Sequence, residues 1–139
     1  NFLFSKLPPE HFNFIKVDRS IKNDNENINS QARNLFKNGW SLMVYPQGTR
    51  AQKENFLPFK SGAFHIALEN NVPILPVVIA GTGDIWPKGS KFMKSGKAII
   101  NTLDPIDITK YTKDTIDELV FETQEKMAKV YKELTDSIK

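Results

Sequence analysis

Two of the three arginines in this 139-residue chain, Arg19 and Arg50, stand just beyond short apolar runs, at polar positions where a ligand can reach them. A guanidinium presents a planar fork of donors that matches the oxygens of a phosphate, and it stays charged at any working pH. Arg50 ends the turn Gln47-Gly48-Thr49-Arg50, which interrupts an apolar run at Pro46. Gly48 allows close backbone approach, so its N–H and that of Thr49 can add to the same anion site. Lys60, just before Ser61-Gly62, either contributes further positive charge or stands solvated. The chemistry on offer is capture of a phosphate ester. Solvated turn arginines with no ligand are the plainer alternative, and spacing alone does not separate the two.

The elements that must position these residues can be read in order. Phe12, Phe14, Ile15 and Val17 suggest a short strand leading to Arg19. After an Asn-rich loop and helix start over residues 21–31, Ile28, Ala32, Leu35 and Phe36 form one helical stripe, closed by Asn38-Gly39. Residues 40–45 predict a strand running into the Gln47 turn. Residues 51–60 predict a loop with Phe56, Leu57 and Phe59 exposed or folded back over the site, and residues 62–70 a short helix ended by Asn70-Asn71. The Ile/Leu/Val run at 74–80 predicts a strand buried on both faces, with its two prolines at a strand start or edge. A Gly/Pro loop follows, then an alternating strand at 97–103. Apolar residues spaced by three and four from Ile116 to Ile138 predict an amphipathic helix, with Thr115 and Glu118 as a capping box. A strand, site loop, helix, strand unit of this kind places a ligand beyond the carboxyl end of its first strand.

VYPQGTR, FKSGAFHIA and VPILPVVI resemble the third and fourth motifs of the glycerolipid acyltransferase family, the 1-acylglycerol-3-phosphate acyltransferases. FIKVDRS at 14–20 is similar to its second motif, which ends in a phosphate-binding Arg. The resemblance covers roughly residues 14–79, in family order. It implies an α/β fold with a mostly parallel mixed sheet and flanking helices, like that of glycerol-3-phosphate acyltransferase and incomplete at the N-terminus. Residues 1–139 would then be the C-terminal part of a single acyltransferase domain. The implied reaction moves a fatty acyl group from acyl-CoA or acyl-carrier protein to 1-acyl-sn-glycerol 3-phosphate (lysophosphatidic acid), giving phosphatidic acid.

By the same resemblance the substrate-binding residues are Arg19, Gln47, Gly48, Thr49, Arg50 and Lys60. The family's general base and its orienting acid, a His and an Asp separated by four residues, are not found here; His11 is followed by Lys16 where Asp would stand. No residue of this chain is therefore assigned as catalytic, and the chain alone is expected to be inactive. Family members usually carry Glu where Gln47 stands, a carboxylate thought to help position the glycerol backbone. A Gln donates and accepts hydrogen bonds but offers no charge, so the change either tunes acceptor preference or is neutral. His65 reads as a structural or supporting residue. No cofactor and no metal are implied. A phospholipid- or phosphate-binding module that has lost the first motif, or a phosphate-binding domain unrelated to lipids, are the readings from other classes.

The totals are consistent with one small domain: 40% hydrophobic, 25% charged and no cysteine, which excludes disulfides and thiolate metal sites. A net charge of +3 favours approach to anionic lipid or phosphate esters. The lysines are scattered without a basic, aromatic-interleaved stripe, so nucleic acid is not an expected partner. The longest apolar run is about nine residues, short of the roughly 20 needed to span a bilayer. Association with a membrane surface, at the cytoplasmic face, is expected, the mode of anchoring being open. The chain opens on Asn1, and a fragment of a longer protein is the expected explanation.

Overall fold

The computed structural model describes residue 15 and residues 25–49 and 56–138. The chain divides into two compact units, residues 1–43 and 44–139. In the first, α1 (Asn25–Lys37) begins earlier than the apolar stripe suggests. Polar i to i+4 support carries it back toward the N-terminus, where Gln31 Nε2 donates to Asn27 Oδ1 at 3.0 Å. Ala32 is buried, and Ile28, Leu35 and Phe36 are half-buried on its stripe. The helix closes as expected: the Gly39 N–H donates to Phe36 O and the Trp40 N–H to Leu35 O, each at 3.0 Å, with Gly39 at a φ of 76°.

The strand expected at 40–45 does not form among the described residues. The segment has no ladder partner there, and Trp40, Met43, Val44 and Tyr45 are exposed. An extended segment becomes a strand only when a neighbour satisfies its backbone groups.

The second unit holds α2 (Gly62–Asn70), β1 (Val77–Ala80), α3 (Thr82–Ile85), β2 (Ile99–Thr102) and α4 (Ile116–Ile138). α2 ends on Asn71 in the left-handed region (φ 50°, ψ 48°), whose N–H and that of Val72 bond to Leu68 O and Ala67 O. β1 and β2 pair antiparallel, Val77 opposite Thr102 and Ala80 opposite Ile99. The mostly parallel sheet is thus not what the described residues form: their sheet has two strands, and the loop between them turns the chain straight back.

Nor is β1 buried on both faces. Val78 and Ala80 are buried, whereas Val77 and Ile79 are half-buried and Leu75 is 56% exposed. Pairing continues past β1 through an Ile74–Ile106 bridge. Three steps separate Ile74 from Val77 but four separate Thr102 from Ile106, so β2's side bulges before Pro105. Pro76 is tolerated because the ladder uses its carbonyl, which accepts from the Leu103 N–H at 3.0 Å.

The core gathers Phe64 of α2, Ile106 and Ile108 of the segment after β2, and Ile116 and Leu119 of α4. α4 packs on β1 and touches α2, and its expected apolar stripe is the face it buries. The expected capping box takes another form. Thr115 Oγ1 accepts from the Thr112 N–H at 2.9 Å, turned back toward the preceding turn. No helix among the described residues is long and apolar enough to cross a membrane.

Candidate functional site

The polar turn after residue 45 is built by its own sequence. The Gly48 N–H donates to Tyr45 O at 3.0 Å, with Pro46 and Gln47 as the central pair. Pro is favoured at the first central position and Gly at the last, and Gln47 does not take a positive φ, which is the pattern of a type I turn. Gly48 then adopts a φ of 69°.

A second strand of chain is tied to this turn. The Lys60 N–H donates to Pro46 O at 2.9 Å, and Gln47 Nε2 donates to Leu57 O at 3.4 Å. The Lys60 side chain consequently lies over Gly48: a Cβ at that glycine would sit 3.2 Å from Lys60 Nζ and Cε. Gly48 is favoured by its backbone conformation, while the exposed end of the lysine above it could shift to admit a Cβ. Lys60 and Gly48 remain exposed, as does Thr49, so the ammonium and the turn share one solvent-facing surface.

The segment 56–60 is held in turn from behind. The Phe59 N–H donates to Gln124 Oε1 of α4 at 2.7 Å. Phe56 packs on Tyr131 and on Phe59, with ring centroids 5.6 and 5.4 Å apart, and Phe59 stacks against Phe64 at 6.3 Å. Phe56, Leu57 and Phe59 are half-buried, so these rings spend their apolar surface on the fold and not on a free greasy patch. Gln124, which holds this segment, is not expected from the sequence. It is one polar residue on a long helix, 65 positions from its partner, and nothing local marks it.

Of the substrate-binding residues expected from sequence, the structure brings together Gln47, Gly48, Thr49 and Lys60. Arg19 and Arg50 lie outside the described residues, and so does His11. His65 is half-buried on α2. A shallow groove of about 490 Å³ opens elsewhere, between residues 103–107 and α4. Its lysines, Lys110, Lys126 and Lys129, are offset by Asp104, Asp107 and Glu133, and no residue of the turn lines it. A groove of mixed charge without the turn is a poorer anion site than the turn itself.

Along that groove's edge, Asp107 is held below the usual carboxylate range by hydrogen bonds from Thr109, the backbone N–H at 2.9 Å being the larger. Tyr111 is pushed above the usual phenol range, first by burial and then by donating to Glu122 Oε2 at 2.8 Å.

The family model described as Acyltransferase matches residues 4–80. A 1-acyl-sn-glycerol-3-phosphate acyltransferase from Haemophilus influenzae is 37% identical over 89% of this chain and 51% of its own length. The enzyme of that name from Saccharomyces cerevisiae is 36% identical over 85% of the chain and 40% of its own. Among solved structures, the 1-acyl-sn-glycerophosphate (LPA) acyltransferase from Thermotoga maritima superposes with a TM-score of 0.70 at 32% identity, covering 77% of this chain and 44% of that one. The chain spans about half or less of the length of these relatives. The match over residues 4–80 takes in the Gln47 turn, Lys60, α2 and β1, more than half of the sequence, and the chain belongs to the Acyltransferase family.

Proposed function

We propose that the whole protein transfers a fatty acyl group from an acyl thioester to the free hydroxyl of 1-acyl-sn-glycerol 3-phosphate, forming phosphatidic acid, and that this chain supplies the site for the substrate's phosphate. The observation that carries the assignment is the Lys60 side chain laid over Gly48 in the turn of an acyltransferase-family chain. The hydroxyl oxygen attacks the thioester carbonyl, the C–O bond forms as the C–S bond breaks, and the hydroxyl proton leaves through a base to the departing thiolate. That base is a histidine outside this chain. The chain's own part is to bind and orient: Lys60 and the Thr49 N–H face the phosphate, whereas the Gly48 N–H, expected from sequence to join them, is spent on Tyr45 O inside the turn; Arg19 and Arg50, which the family resemblance assigns to the phosphate, lie outside the described residues. The donor is acyl-CoA or acyl-carrier protein, and no metal or cofactor is needed for the step.

In the complete domain residues 40–45 form a strand of a mostly parallel mixed sheet, which would cover the apolar side chains exposed there. The protein works as a membrane-associated enzyme at the cytoplasmic face, where its lipid substrate and product reside.

The test is steady-state kinetics of the full-length protein. Lys60→Ala should raise KM for 1-acyl-sn-glycerol 3-phosphate about tenfold with little change in kcat, because a charged hydrogen bond to a group unchanged by the reaction stabilises ground and transition states alike. An unchanged KM would remove Lys60 from the phosphate site. Phosphate-ester binding by a wild-type protein that transfers no acyl group would instead establish a non-catalytic phospholipid-binding module.

A further inference from the structure

The connection between β1 and β2, residues 81–98, holds its apolar side chains away from the core. Phe92 is 80% exposed, Met93 69% and Trp86 49%. Such a cluster on a surface marks a contact with something apolar. Lys88, Lys91, Lys94 and Lys97 are interleaved with it, all exposed, and no acidic residue occurs between Asp84 and Asp104. The chain's modest net charge of +3 therefore conceals a local run of one sign.

The loop is also internally built. Trp86 Nε1 donates to Ser90 O at 2.9 Å, the Phe92 N–H to Ser90 Oγ at 3.2 Å, and Ser90 Oγ to Phe92 O at 2.8 Å. The Lys94 N–H donates to Ile85 O at 2.8 Å. At the base, Gly81 (φ 85°) lies so close to the Lys97 carbonyl that a Cβ there would collide with its oxygen. Phe92 and Met93 are thus presented by a closed, hydrogen-bonded loop, which lowers the ordering cost of binding.

We propose that this loop docks the protein on an anionic bilayer. Phe92, Met93 and the Trp86 ring enter the boundary between headgroups and acyl chains, and the lysines meet the lipid phosphates. Aromatic rings at the headgroup level with lysines beside them are the chemistry of an interfacial anchor. A stretch of sequence from 85 to 103 that carries four lysines and no carboxylate matches a uniformly anionic plane better than a protein surface of mixed charge. The inference rests on the lipid substrate proposed above, since an enzyme acting on a membrane lipid has to meet it at a bilayer.

Sedimentation of the full-length protein with vesicles tests it. Vesicles of phosphatidylglycerol and phosphatidylcholine in equal parts should bind the protein, phosphatidylcholine alone much less. Lys91→Gln with Lys94→Gln should weaken binding about fivefold per lysine, and Phe92→Ser with Met93→Ser about tenfold. Brominated lipid should quench a share of the tryptophan emission that Trp86→Phe abolishes. Unchanged vesicle binding in both double variants, or no Trp86-dependent quenching, overturns the proposal. A large fall in melting temperature for Phe92→Ser with Met93→Ser also overturns it, because the rings would then be covered by protein. Acyl transfer to a short-chain, freely dissolved substrate should be the same in wild type and both variants. A wild type without that activity refutes the proposed function while leaving the vesicle result to stand or fall by itself.

Discussion

At Gln47 the side chain already has a structural partner. Its amide donates to the Leu57 carbonyl and so helps tie residues 56–60 to the turn that Lys60 overlies. A carboxylate cannot donate to a carbonyl; it would set acceptor against acceptor. Gln47→Glu, which restores the residue usual among the family members this chain resembles, is therefore expected to lower stability by about 1 kcal/mol in thermal or denaturant unfolding. A variant as stable as the wild type would mean that the long 3.4 Å contact contributes nothing.

At the level of elements, the proposed phosphate site depends on α4, which holds the segment carrying Lys60. Gln124 holds the Phe59 N–H, and one residue later Lys60 holds Pro46 O and covers Gly48. Gln124→Leu leaves that N–H without its partner and loosens the segment that aims the lysine. The expected result is a rise of several-fold in KM for lysophosphatidic acid, with Gln124→Glu, which keeps an acceptor, recovering most of the loss. Non-additivity between Gln124→Leu and Lys60→Ala is the reading a purely structural role would not produce. The aromatic chain Tyr131–Phe56–Phe59–Phe64 supports the same segment from α4 and α2, so the variant should fold.

At the scale of the whole molecule, the segment between β2 and α4 links stability to pH. Tyr111 packs on the core cluster and donates to Glu122 of α4, and its phenol is raised by burial and by that hydrogen bond. A raised folded-state value means that the stabilisation is complete below the ordinary phenol range and is lost as pH climbs through the raised one. Wild type should thus lose melting temperature more steeply than Tyr111→Phe in strongly alkaline buffer. Near neutral pH the variant should be less stable by about 1 kcal/mol, from the lost hydrogen bond. Parallel alkaline profiles would show that Tyr111 ionises without regard to the fold.

What was legible in the sequence is what short range decides. Helix stripes, the Gly39 and Asn71 stops, the alternation at 97–103 that yields β2 and a polar turn after Pro46 all follow from periodicity and local backbone preference. The family expectation came from ordered motifs and agrees with the Acyltransferase match over residues 4–80. Sheet partners were not legible, because a strand at 40–45 depends on backbone groups elsewhere, and an apolar run at 74–80 reads alike whether one face or two are covered. Equally hidden were the lysine stem over Gly48 and the amide of Gln124 behind it, contacts made across 12 and 65 positions, which exist only once α4 has packed and drawn residues 56–60 against the turn.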